Sequence, residues 1–312
     1  MKRGSSGLNL LLGVNKPRGM SSHDVVNVVR RAIGERRVGH AGTLDPAADG
    51  VLVVGVGQGT RLMGMLTADS KSYVATIRFG YETDTDDAEG ERTVGAPISD
   101  GLRDPIRAQE LLDSFLGEQD QVPPAYSAIS VGGKRSYARA RAGETVVLPA
   151  RRVRIVAAQL LSIEDEQNGD ENSLCWQCAF TVSKGTYVRS IARDLGRRAG
   201  SAAHLARLCR TASGTVTLAR CVTLSQIQDA GPTGIGNLSL DPVKALGVPS
   251  RKIEGREVAD MACGRAIEAN GIARGQQVAM VRDGRLWGVW ESDGIRILAK
   301  ANFPDGIEGV RP

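Results

Sequence analysis

The apolar run at residues 10–14 reads as a first strand. After it, Ser21 or Ser22 can cap a helix in which Val25, Val29 and Ile33 share one face, closed by Gly34. Residues 38–49 hold Gly39, Gly42 and Pro46 and no apolar period, which predicts a loop. The continuous apolar run 51–56 then has the character of a strand buried on both faces. A shaped loop is thus expected between two regular elements. Residues 72–80 set Tyr73, Ala75, Ile77 and Phe79 against Val74, Thr76 and Arg78, the period of a half-buried strand. For the acidic run 82–91 a solvated turn is expected. Read as a calcium loop from Asp84, it has Glu89 where Gly is needed.

Residues 105–116 read as a helix, and Pro123-Pro124 breaks the pattern. A basic insertion at about 121–154 follows, with turns at Gly132-Gly133 and Gly143. Strands, an acidic hairpin tip at 164–172 and a basic helix around 191–198 come next. Residues 230–249 are rich in Gly and Pro and mark a boundary. Beyond it lie a short helix within 257–267 and three strands within 277–301, separated by Asp283-Gly284 and Asp293-Gly294. Runs of strands with few helices predict an α+β fold with a mainly antiparallel mixed sheet and flanking helices. The length of 312 residues exceeds one ordinary domain, and the boundary divides it into 1–247 and a small β-rich domain at 248–312.

Composition alters this picture in one respect, the placement of charge. The net charge of +5 is modest, but residues 134–154 carry seven Lys or Arg against one acid, and residues 189–210 carry six Arg against one. Two such blocks are either solvated faces or the footprint of a polyanion, and their pairing favours nucleic acid. Five cysteines suit a reducing compartment better than a disulfide framework. Cys175 and Cys178 have half-site spacing but lie on a strand pattern, with no second Cys pair, so no metal site is expected. Lys2 and Arg3 before the apolar run imitate an export signal, but Lys16-Pro17 follows without a small-residue cleavage pattern. No apolar run approaches the ~20 residues that span a membrane, and a cytoplasmic protein is expected.

The stretch at residues 37–50 is the most informative. Pro46 keeps Asp45 out of the helical region, while Gly39 and Gly42 let backbone approach a ligand closely. The loop therefore presents a carboxylate, although Asp-Pro pairs also serve as plain turns, and Asp49 is a weak second carboxylate for glycosidase chemistry.

Gly39-His-Ala-Gly-Thr-Leu-Asp-Pro46 resembles the catalytic-loop motif of the TruB family of pseudouridine synthases. Four further blocks match in the same order: residues 12–22; residues 71–75 with 83–90; residues 121–128 with 133–137; and residues 183–190. The resemblance implies the pseudouridine synthase fold followed by a PUA-like RNA-binding domain. It also implies conversion of uridine to pseudouridine at position 55, in the TΨC arm of tRNA. Asp45 would be the carboxylate that attacks either the ribose C1′ or the base, a choice left open. Arg189 would pair with it through a planar, permanently charged fork. Tyr73 would stack on the target base, or else be a core aromatic. The base must be flipped out of the arm, and His40 would contact or replace it. Asp87 would join the polar network, and Lys16 would orient the loop or meet phosphate. Tyr126, Lys134, Arg135, Lys184 and Tyr187 would contact the RNA, with the basic stretch 134–141 clamping its backbone in a salt-sensitive way. No cofactor or metal is implied, and the expected state is a monomer acting on the T stem-loop without an obligate protein partner. The competing readings are a non-catalytic RNA-binding or tRNA-folding protein and a nucleoside hydrolase.

Overall fold

The computed structural model describes residues 6–67, 70–127, 130–131, 134–136, 148–168 and 171–311. The chain forms two compact units, Met1–Asp69 with Ala212–Pro312, and Ser70–Thr211.

In the first unit the strand Leu10–Lys16 pairs antiparallel with Asp49–Val56, with Leu12 opposite Val54. Ser21 caps the helix Ser22–Ile33 by a capping box with Asp24, and Gly34 ends it in the left-handed conformation, φ 66°. The loop expected at 38–49 is shorter than the sequence implied. Val38–Ala41 is itself a strand, antiparallel to Asp49–Val56 with His40 opposite Val54. A valine, a glycine, a histidine and an alanine carry no legible period; pairing with the neighbouring strand makes them extended.

The central strands are covered on both faces. Leu10, Leu12, Val14, Leu52, Val54 and Val56 pack on Val25, Val29 and Ile33 of the helix and on Ile227 and Ile235. Leu11, Val51 and Val53 pack instead on Leu286, Val289, Phe303 and Ile307 from the C-terminal end of the chain. The stretch read as a Gly- and Pro-rich boundary contains helices at Leu224–Gly234, kinked at Gly231, and at Pro242–Leu246, capped by Asp241. Residues 250–308 build a five-stranded sheet in the order Ser250–Lys252, Gln277–Arg282, Arg285–Ser292, Arg296–Glu308, Ile267–Glu268. The Asp283-Gly284 turn has both residues at positive φ, 49° and 69°, as a two-residue hairpin of this hand requires. Val278, Met280, Trp290 and Ile297 form this sheet's own core with Met261 of the helix Arg256–Ala262. A cut at 247/248 therefore passes between residues that share a core.

The second unit is a sheet ordered Ala203–Ser213, Lys71–Phe79, Glu171–Val182, Arg151–Asn168, Gly117–Gln121. The last four strands pair antiparallel, with Phe180 opposite Tyr73 and Cys178 opposite Ala75. Lys71–Phe79 alternates buried and half-buried positions along its length, as its period predicts. The helix Pro105–Asp113 is capped by Asp104, and the helix Val188–Arg198 buries Val188, Ile191, Ala192 and Leu195. Among the described residues no helix is long and apolar enough to cross a membrane.

The acidic run at 82–91 is not the solvated turn expected. Glu82, Asp86 and Asp87 are buried, while Asp84, Glu89 and Glu91 are exposed. The sequence could not show that arginines more than a hundred positions later meet the buried three.

Candidate active site

The loop that carries Asp45 is fixed at successive backbone positions. The Ser22 hydroxyl accepts a hydrogen bond from Leu44 N at 2.8 Å and donates one to Leu44 O at 3.0 Å. Asp45 O accepts from Ala48 N at 3.1 Å, closing a turn with Pro46 at its second position. Pro46 O accepts from Gly19 N at 2.8 Å and from Lys16 Nζ at 3.4 Å, and Ala47 O from Arg18 Nε at 3.1 Å. The carbonyls of residues 44–47 are thus all engaged, Leu44 and Ala48 are buried, and Asp45 is half-buried between them.

Lys16 has no exposed surface, and its ammonium also donates to Pro17 O at 2.9 Å and Met20 O at 2.6 Å. Of its two expected roles this geometry supports orienting the loop. A buried ammonium held by carbonyls has no face left for a phosphate. His40 is half-buried on the strand that leads into the loop, five residues before Asp45. From sequence Ser22 reads only as a cap candidate, and its spacing relative to Leu44 gives no signal of this second duty.

In the second unit Arg189 is buried at the start of its helix. Its Nη1 lies 3.3 Å from Asp87 Oδ2 and donates to Thr85 O at 3.2 Å, while Nη2 donates to Tyr126 O at 3.1 Å. Asp87 Oδ1 accepts from Thr85 Oγ1 at 2.6 Å and from Glu89 N at 3.1 Å. Arg189, Asp87 and Tyr126 are therefore brought together. Tyr73 is buried on its strand opposite Phe180. Tyr187 sits at the N-terminal cap of the Val188–Arg198 helix, where the Gln121 amide bonds both its N at 2.8 Å and its O at 3.1 Å. Lys184 is exposed in the preceding turn, next to Gly185 at φ 81°. Of Lys134 and Arg135 only the backbone is described, as a two-residue strand; residues 137–141 of the expected clamp lie outside the described residues.

Three acid–arginine contacts that the sequence reading missed extend this cluster. Arg193 Nη1 meets Asp86 Oδ2 at 2.7 Å, Arg193 Nε meets Asp194 Oδ1 at 2.9 Å, and Arg197 grips both oxygens of Glu82 at 2.7 Å each. Burial pushes the Asp86 carboxyl up to about 6, against the pull of Arg193 and Arg189. The signal that could have found these contacts is the four-residue spacing of Arg189, Arg193 and Arg197, which places them on one helical face.

The sequence profile of the TruB family pseudouridylate synthase N-terminal domain matches residues 30–188, and that of the tRNA pseudouridylate synthase B C-terminal domain matches residues 189–233. The chain belongs to the TruB family. Among curated TruB relatives, tRNA pseudouridine synthase B of Nocardia farcinica is 41% identical over 92% of this chain and 90% of its own length. That of Mycobacterium sp. (strain KMS) is 43% identical over 89% and 90%. Among solved structures, a chain of an H/ACA RNP bound to a substrate RNA containing 2′-deoxyuridine superimposes with a TM-score of 0.67 at 22% identity. The match covers 95% of this chain and 85% of that one. At that identity the likeness shows a shared fold. The TruB profiles cover both the Asp45 loop and Arg189, and end before the C-terminal sheet.

Proposed function

We propose that this TruB-family enzyme converts uridine 55, in the TΨC arm of tRNA, into pseudouridine, with Asp45 as the attacking carboxylate. The observation that carries the reading is the Asp45 loop. Its carbonyls from 44 to 47 are all hydrogen-bonded, and Asp45 as a residue is half-buried rather than enclosed. A nucleophile held this way loses little freedom when substrate arrives, which is where positioning lowers a barrier.

The reaction breaks the N1–C1′ bond, turns the uracil and forms a C5–C1′ bond. The C5 proton leaves and N1 gains one, so atom count is unchanged and no redox partner is needed. The uridine is flipped from its stack before attack. Asp45 adds to C1′ or to the base while the glycosidic bond breaks. Tyr73 stacks on the detached base and helps take the C5 proton. Arg189 balances the charge of Asp45, and His40 meets the base or fills the gap it leaves. Asp87 holds Arg189 in register. Tyr126, Lys134, Arg135, Lys184 and Tyr187 contact the T stem-loop, chiefly through its backbone.

Residues 1–247 carry catalysis and residues 248–312 act as a PUA-like RNA-binding region. The enzyme works in the cytoplasm as a monomer, without an obligate protein partner. The test is tritium release from 5-tritiated uridine in unmodified tRNA transcript, comparing wild type with Asp45→Asn at one salt concentration. Release by wild type and none by the variant, with tRNA still bound, is expected. Equal release would remove Asp45 from its role, and binding without release by either protein would favour the tRNA-folding reading.

A further inference from the structure

Arg189 reaches Asp87 across a 3.3 Å contact, while its neighbours on the same helical face hold their acids more closely. Arg193 meets Asp86 at 2.7 Å and Arg197 meets Glu82 at 2.7 Å twice over. Each nitrogen of the Arg193 guanidinium has a partner. Nη1 goes to Asp86, Nε to Asp194 Oδ1 at 2.9 Å, and Nη2 to Val122 O at 2.9 Å. It therefore ties together the two segments that flank Arg189, the 82–91 turn and the 122–126 stretch whose Tyr126 O accepts from Arg189. Ser190 Oγ adds a second bond to Val122 O at 2.9 Å.

Asp86 itself is held in the left-handed region, φ 60°, which few residues besides Gly, Asn and Asp adopt. Its backbone is fixed on the other side by the strand Ala203–Ser213. Leu205 N donates to Asp86 O at 3.0 Å, and Ala88 N donates to Leu205 O at 3.1 Å, so two backbone bonds flank Asp87. The left-handed turn sends the Asp86 side chain to Arg193 and the next one, Asp87, to Arg189.

We infer that Asp86 and Arg193 are positioning residues of the reaction: their buried pair locks the turn that aims Asp87 at the Arg189 guanidinium. The inference rests on the reading that Arg189 serves catalysis. A pair that merely held the fold together could sit anywhere on the helix. This one lies one turn from Arg189 and grips the residue adjacent to its carboxylate partner. Breaking it leaves Asp87 held by its backbone bridge and by the Thr85 and Glu89 bonds within its own turn, with that turn no longer tied to the Arg189 helix through Arg193, and Arg189 loses its register.

The experiment compares wild type, Asp86→Asn, Arg193→Lys and the double variant. It measures kcat and KM for pseudouridine formation in tRNA transcript, the thermal midpoint, and the Asp87–Arg189 distance in crystal structures. Asn tolerates the left-handed turn and removes only the charge, while Lys keeps the charge and loses the fork, so one variant serves if the other does not fold. Each single change should lower kcat by about tenfold to a hundredfold with KM within about twofold, as expected for a misplaced group. The double variant should lose no more than the worse single one, because both remove one device. The Asp87–Arg189 distance should lengthen in each. Wild-type kcat in folded variants, or an unmoved Asp87–Arg189 pair, overturns the inference. A wild type that binds tRNA but forms no pseudouridine overturns the isomerase reading instead, and the crystallographic distance still decides the positioning.

Discussion

Ser22 opens a helix, yet its hydroxyl is turned to the N–H and the carbonyl of Leu44, one residue before the carboxylate. Replacing it with Ala leaves a buried N–H without that partner, at a cost of about 1–3 kcal/mol. The same change lets the Asp45 loop drift, so Ser22→Ala should slow pseudouridine formation about tenfold while KM for tRNA holds. Urea unfolding with steady-state kinetics checks both halves; a stability loss with unchanged kcat would show that the clamp matters only to folding. That Asp45 lies in a turn was legible in the sequence, because Pro46 constrains it locally. Ser22 and Asp86 were not, since their partners lie 22 and 107 positions away and neither carries a local mark of the contact. The burial of Lys16 and its bonds to Pro17, Met20 and Pro46 carbonyls were not legible, since nothing in the local sequence marks a lysine as buried.

The helix Val188–Arg198 shows how an element's period is readable while its neighbours are not. Its apolar and basic positions predict a helix, and the spacing of its arginines predicts a shared face; what that face meets is decided by the strand and turn packed against it. Gly196 marks the closest approach. A Cβ there would stand 2.4 Å from Ala203 N and 2.7 Å from the Ala202 carbonyl carbon. In an exposed helix Gly→Ala gains up to about 1 kcal/mol, but backbone cannot yield as a side-chain tip does. Gly196→Ala should therefore destabilise the protein by about 1–3 kcal/mol, measured as a lowered unfolding midpoint. A raised midpoint would mean the helix can slide away from Ala203. The strand Val38–Ala41 makes the converse point. Its conformation comes from pairing with Asp49–Val56, so it read as loop until that partner was in place.

At the scale of the whole molecule the α+β class and the β-rich tail were legible from strand periods and turn dipeptides. The interleaving of chain ends was not, because a composition shift marks where segments differ and says nothing of where they pack. Leu11, Val51, Val53 and Leu62 share one core with Ala279, Leu286, Val289, Phe303 and Ile307. A protein stopped after residue 247 should expose that apolar face and fail to unfold cooperatively, read by dye binding, limited proteolysis and urea titration. A truncated protein that unfolds in one sharp transition would show the tail to be dispensable to the fold, whatever its part in binding RNA. The shared core also sets an order of events during synthesis. Leu11 leaves the ribosome well before Ile307, so the strand that carries it has a bare apolar side until the later strands are made. Long-range pairing of this kind is slow and open to aggregation, so the interval between the two halves of this core is where the growing chain is most exposed to wrong partners.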